Sequence, residues 1–195
     1  ALGADLVVES GTKYLCGHND VICGFVTSAT PELSEKLRYL IKTIGSGLSP
    51  LDSWLVSRGI KTLPLRMEQH QRNALAIAQW LTDQPAVASV SYPGLESHPA
   101  RDLCLRQGTG FGGMITFSVK SEDVARRALE RVKVIRFAES LGGAETLITY
   151  PLTQTHADVD PDELAAKGID GKMLRLSVGL ESASDLIRDL DQAFC

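Results

Sequence analysis

The stretch from Asp5 to Asp20 constrains this chain most. Leu6, Val7 and Val8 form a short apolar run of strand length, and Ser10, Gly11 and Thr12 break it into a tight polar turn. Lys13 stands at the end of that turn. The pattern predicts a buried strand that delivers a lysine to its end, with hydroxyls three and one residues before it. A lysine held this way can act as a nucleophilic amine once burial and neighbours lower its pKa. Ser10 and Thr12 are of the right type to donate hydrogen bonds to a phosphate beside the same turn. The same residue types also fit a solvated lysine and an ordinary turn.

A lysine that condenses with an aldehyde, next to hydroxyls that hold a phosphate, suits pyridoxal phosphate (PLP). The wider segment is similar to the lysine signature of the Cys/Met-metabolism, or trans-sulfuration, PLP enzymes. Asp5, Leu6, Ser10, Thr12, Lys13, Tyr14, Leu15, Gly17 and His18 carry the likeness, and Asn19 and Asp20 continue it. The family includes cystathionine γ-synthase, the cystathionine β- and γ-lyases and methionine γ-lyase.

Two further segments carry the same resemblance. In Met173 to Glu181, Arg175 alternates against Leu174, Leu176 and Val178, so a strand would place it on the opposite face. An exposed edge arginine fits that pattern too. The resemblance implies instead that Arg175 binds the α-carboxylate of an amino-acid substrate through its planar fork. In Ala138 to Gly143 it implies that Ser140 lies between the lysine and that carboxylate. Gly142 and Gly143 allow close backbone approach there, as they would in a plain turn. Glu139 leans away from the β-lyases that carry an aromatic at its position. Thr155 is implied as support for the arginine, whereas His156 receives no catalytic role.

The resemblance runs from Asp5 to Phe194. It implies an α/β fold made of the end of a type-I PLP-enzyme large domain, residues 1–63, a connecting helix, 64–85, and a small C-terminal domain, 86–195. That last domain would hold a mostly antiparallel sheet with packed helices. The family's phosphate-cradling glycine turn, ring-stacking aromatic and pyridine-pairing aspartate come before the lysine. These 195 residues therefore read as part of a longer chain. Alone they are expected to be inactive. The strand of Leu6, Val7 and Val8 would lose its sheet neighbours and expose apolar surface. The first segment would be poorly anchored or pack on another chain, and residues from about Ala86 onward would fold as a compact unit. The activity implied for the parent is elimination or replacement at Cγ or Cβ of a sulfur amino acid. β-Lyase and methionine γ-lyase activities are the alternatives within the family. A non-catalytic folding or oligomerisation module is the alternative of another class. The family also implies a homotetramer.

Periodicity supplies the rest. Leu33, Leu37, Leu40 and Ile41 predict a helix opened by Thr30 and Pro31 and closed at Gly45. A second helix is predicted from Pro50 to Gly59. A long one from Pro64 carries Ala74, Ile77, Ala78 and Leu81, with His70 on its polar flank at a surface or interface. Strands are predicted near 88–92, 114–119, 132–137, 146–150 and 174–178, and helices near 99–107, 122–131, 161–167 and from Ser182 to the end. The glycines from Gly108 to Gly113 read as a turn, since no phosphate-loop spacing is present. Net charge is −4, which argues against nucleic acid or an anionic membrane as partner. The cysteines Cys16, Cys23, Cys104 and Cys195 form no Cys-x-x-Cys pair, so no metal is expected. Cys16 and Cys23 read as packing residues, and a reducing cytoplasm is favoured.

Overall fold

The computed structural model describes residues 3–154 and 158–195. The chain divides into two compact units, Ala1–Leu63 and Pro64–Cys195. The division places nearly all of the long helix with the second unit.

In the first unit, β1 (Leu6–Ser10) pairs antiparallel with β2 (Gly24–Ser28), Val8 opposite Val26. Between them Gly11–Leu15 forms a single π-helical turn. Helix α1 (Pro31–Ile44) starts where the Thr30 hydroxyl accepts from Leu33 N, and stops at Gly45 in the left-handed region (φ 77°). Helix α2 (Pro50–Ile60) starts where Ser49 Oγ accepts from Asp52 N. The apolar run of the first strand is not buried here, as expected for this segment without its sheet neighbours. Val8 is 76% exposed, and Leu6 and Val7 are exposed as well. The reason is that β1 has one neighbour among the described residues and no layer covers its faces. The buried apolar cluster of this unit is small, consisting of Cys16, Val21 and Val56 with Cys23 and Leu55 against them.

The second unit is built on a five-stranded sheet. Its strands are β3 (Val87–Ser91), β4 (Met114–Val119), β5 (Arg136–Phe137), β6 (Leu147–Thr149) and β7 (Met173–Ser177). Their spatial order is β3-β4-β7-β6-β5, antiparallel except for the parallel β5–β6 pair. Helices α3 (Leu63–Thr82), α4 (Arg101–Gln107), α5 (Glu122–Arg131), α6 (Pro161–Ala166) and α7 (Ala183–Phe194) complete it. The period-2 pattern of β4 and β7 sends Ile115, Phe117, Val119, Leu174 and Leu176 into one core. There they meet Ala74, Ile77, Ala78 and Leu81 of α3, Ala125 and Ala128 of α5, and Leu186 and Leu190 of α7.

The reading of His70 is corrected. It is fully buried, and its Nδ1 lies 2.7 Å from the Val178 carbonyl oxygen. On α3 it stands one turn before Ala74, on the same stripe. Buried Asp189 of α7 has a similar part that periodicity did not reveal: its carboxylate accepts from the successive amides of Lys133, Val134 and Ile135 (2.8–3.0 Å). That bond set fixes the approach to β5. Ser182 stands at the N-cap of α7 as expected, although its hydroxyl pairs with Ser184 rather than with a helix amide.

Candidate functional site

Lys13 lies in the π turn, half-buried, where the backbone leaves helical values (φ −86°, ψ −128°). Cys16 N donates to Gly11 O (3.0 Å), the i to i+5 bond of the turn, and Gly17 N donates to Lys13 O (2.8 Å). A wide turn directly at a strand end is thus what presents the lysine. Gly11 lies in close approach to two side chains: a Cβ there would lie 2.7 Å from Phe25 Cε2 and strike Cys23 Sγ, so both would have to shift.

The two flanking hydroxyls are placed differently. Ser10 ends β1 and is exposed. Thr12 Oγ1 accepts from Cys23 N (2.9 Å) and donates to Cys23 O (3.2 Å), stitching the turn to the approach of β2. A hydroxyl has one proton, so a phosphate would compete with the Cys23 carbonyl for that of Thr12. Burial pushes the Cys16 thiol up to about 11, and the Asp20 carboxylate 3.1 Å away acts in the same direction. Cys16 is therefore an inert packing residue, in line with its expected role. A pocket beside the turn is lined by His18, Asp20, Leu55, Arg58, Gly59 and Thr62, and Lys13 does not line it.

In the second unit, Arg175 is central on β7, opposite Thr116 of β4 and Thr149 of β6. Directly opposed residues point to one side of an antiparallel sheet, so these three share a face, away from the core that holds Leu174 and Leu176. Arg175 is half-buried, and its Nε is buried with no hydrogen-bond partner among the described residues. A guanidinium donor removed from water and left unmet is what a carboxylate ligand would satisfy. Ser140 sits in the loop between β5 and β6 at φ 122°, a costly conformation for a residue with a Cβ. Thr155 and His156 lie outside the described residues. Among the described residues no group of three or more His, Cys, Asp or Glu side chains could hold a metal ion.

Ser177 and Glu181 were not singled out from the sequence. Ser177 Oγ accepts from Gly142 N (2.8 Å), and the Glu181 carboxylate accepts from Thr146 N and Thr146 Oγ1 (both 2.7 Å). The available signal was period two, which puts Ser177 on the Arg175 face.

Comparison with known proteins follows the same segments. The family model described as Cys/Met metabolism PLP-dependent enzyme matches residues 1–195. The chain belongs to this family. It is 49% identical over 193 residues to a cystathionine gamma-lyase of Dictyostelium discoideum, covering 98% of this chain and 50% of that protein. It is 48% identical over 194 residues to a cystathionine beta-lyase of Lactococcus lactis subsp. cremoris (strain MG1363), covering 99% and 51%. The crystal structure of cystathionine gamma synthase from Xanthomonas oryzae pv. oryzae in complex with cystathionine superposes with a TM-score of 0.94 at 42% identity, over 98% of this chain and 50% of that one. The chain thus spans about half the length of the relatives it matches. Members of this Cys/Met-metabolism family depend on PLP.

Proposed function

We propose that this chain supplies the lysine and the carboxylate-binding strand of a PLP-dependent enzyme that breaks or makes a C–S bond at Cβ or Cγ of a sulfur amino acid. The observation that carries the reading is the half-buried Lys13 at a strand-to-π-turn junction, inside a chain whose whole length matches the PLP family. Support for the substrate comes from relatives named for cystathionine and from one solved with cystathionine bound.

When bound, PLP supplies an electron sink for carbanions formed at the substrate Cα. Lys13 Nζ is the group that would hold the cofactor's aldehyde carbon, water leaving as that bond forms. Once a substrate amine has replaced it there, the same Nζ would move protons at Cα and its neighbours. Ser10 Oγ would donate to the phosphate, and Thr12 Oγ1 would do so at the expense of its bond to Cys23 O. Arg175 takes the α-carboxylate on its unmet Nε and the rest of the guanidinium, with Ser140 beside it. Thr155 belongs to the same carboxylate support. Fixing the carboxylate restricts rotation about the substrate's Cα–N bond and so selects which Cα bond reacts.

The same reading makes the full-length protein a homotetramer of the cytoplasm. Exposed Leu6, Val7, Val8, Tyr39, Ile44 and Trp54 support a protein contact on the first unit. The free state of Cys16, Cys23, Cys104 and Cys195 supports a reducing compartment. No helix among the described residues is long and apolar enough to cross a membrane.

Borohydride reduction of the full-length protein with PLP, followed by peptide mapping, tests the assignment. Stoichiometric label on Lys13 is the expected result. Label spread over surface lysines would defeat the reading and favour a non-catalytic module.

A further inference from the structure

Arg175 and Ser140 come from different segments, and the structure holds those segments together through side-chain and backbone hydrogen bonds. Residues 142–146 are zipped to 177–181 by one continuous set of bonds. Gly142 N donates to Ser177 Oγ (2.8 Å), and Leu180 N donates to Ala144 O (2.7 Å). Thr146 N and Thr146 Oγ1 donate to the two oxygens of Glu181, and Gly179 N donates to Thr146 Oγ1 (2.8 Å). Ser177 and Thr146 are buried, at 2% and 0% exposure. On the far side, Asn73 Nδ2 of α3 donates to the carbonyls of Gly179 (3.0 Å) and Glu181 (2.8 Å).

Two features give this zipper a purpose beyond packing. Ser140, two residues before Gly142, is held at φ 122°, which an L-residue leaves unless its surroundings fix it. Ser177 is two residues after Arg175, about 6.6 Å along the same face of the strand. One strand therefore carries the guanidinium and, one pleat further on, the acceptor that fixes the serine loop.

We propose that Ser177 and Glu181 are positioning residues that register the Ser140 loop against β7, so that Ser140 and Arg175 form a single preorganised carboxylate-binding arm. The proposal rests on the carboxylate role given to Arg175 above. Removing the Ser177 acceptor frees Gly142 N and releases Ser140 toward ordinary backbone values. The guanidinium and Lys13 stay chemically unchanged, so a ligand without a carboxylate is indifferent to the change.

The test uses the full-length holoenzyme and two probes read by cofactor absorbance: L-alanine, which carries an α-carboxylate, and O-methylhydroxylamine, which carries none. Ser177→Ala should weaken L-alanine about tenfold, the worth of one hydrogen bond at the upper end of its usual range, and leave the O-methylhydroxylamine reaction within about twofold. Ser177→Thr, which keeps the acceptor, should restore most of the L-alanine affinity. In the cofactor-free protein, amide exchange of residues 140–146 should quicken in Ser177→Ala. If that variant does not fold, Glu181→Gln is judged by the same criteria. Equal losses for both probes, or no loss for L-alanine, would overturn the proposal. Arg175→Lys run in parallel separates the two readings. If it weakens L-alanine while Ser177→Ala does not, only the positioning role falls. If neither variant does, the carboxylate role of Arg175 falls with it.

Discussion

His70 Nδ1 lies 2.7 Å from the carbonyl oxygen of Val178, joining the long helix to the residue that follows β7. Burial is the main cause that holds the imidazolium form below its ordinary 6.5, opposed by the Val178 carbonyl and reinforced by the charge of Arg66. The unfolded chain therefore takes up the proton at a higher pH than the folded chain does. The stability contributed is fully present above pH 6.5 and is lost as pH falls below that value through the folded pKa. Urea midpoints measured from about pH 8 to about pH 5 should hold level and then decline below 6.5, and His70→Gln should flatten the decline.

Asp189 gives a second stability test. Its carboxylate is the acceptor for three successive backbone amides at the approach to β5, so Asp189→Ala leaves them unmet. The loss should be about 3 kcal/mol, read by chemical denaturation. Asp189→Asn keeps one acceptor oxygen and should lose less.

Gly179 lies where the zipper is tightest. A Cβ there would strike Ala144 O and lie 2.7 Å from the Glu145 carbonyl carbon, both of them backbone. Gly179→Ala should cost about 2 kcal/mol or more, since backbone cannot step aside as a flexible side chain can. Gly47 has no atom within 4 Å of its would-be Cβ, so Gly47→Ala should stay within about 0.5 kcal/mol of the parent.

For Arg175, the lysine substitution keeps the charge and removes the planar fork. In the full-length enzyme, Arg175→Lys should weaken substrate binding by about 1.5–3 kcal/mol, the range for a charge-assisted hydrogen bond. Cofactor absorbance should be unaltered. A rise in KM with the spectrum intact is the outcome to look for.

Much of this was legible because the signals were local. Thr30 announced its helix start by capping chemistry, and its hydroxyl accepts as capping requires. Alternation in β4 and β7 assigned Ile115, Phe117, Leu174 and Leu176 to the core. His70 was misplaced because a polar residue beside an apolar stripe reads as the stripe's margin, and its partner is 108 residues away. Ser177 and Glu181 were missed for the same reason, since their partners lie 35 residues upstream. The exposure of Leu6, Val7 and Val8 was expected for a strand without its sheet neighbours, and not from the run itself. An apolar run states that burial is needed but not which segment supplies it.

The edges of the five-stranded sheet also bear on how this polypeptide behaves in concentrated solution. One outer strand, β5, is two residues long, and the other, β3, shifts register between Val87 and Ser89. A two-residue edge offers an incoming strand too few amides to nucleate on, and a bulged one breaks the spacing that a straight partner needs. Cross-strand polymerisation through the second unit is discouraged at both margins. Turbidity on concentrating the chain should then originate in the first unit, and substitutions of Val8 or Trp54 by lysine should clear it.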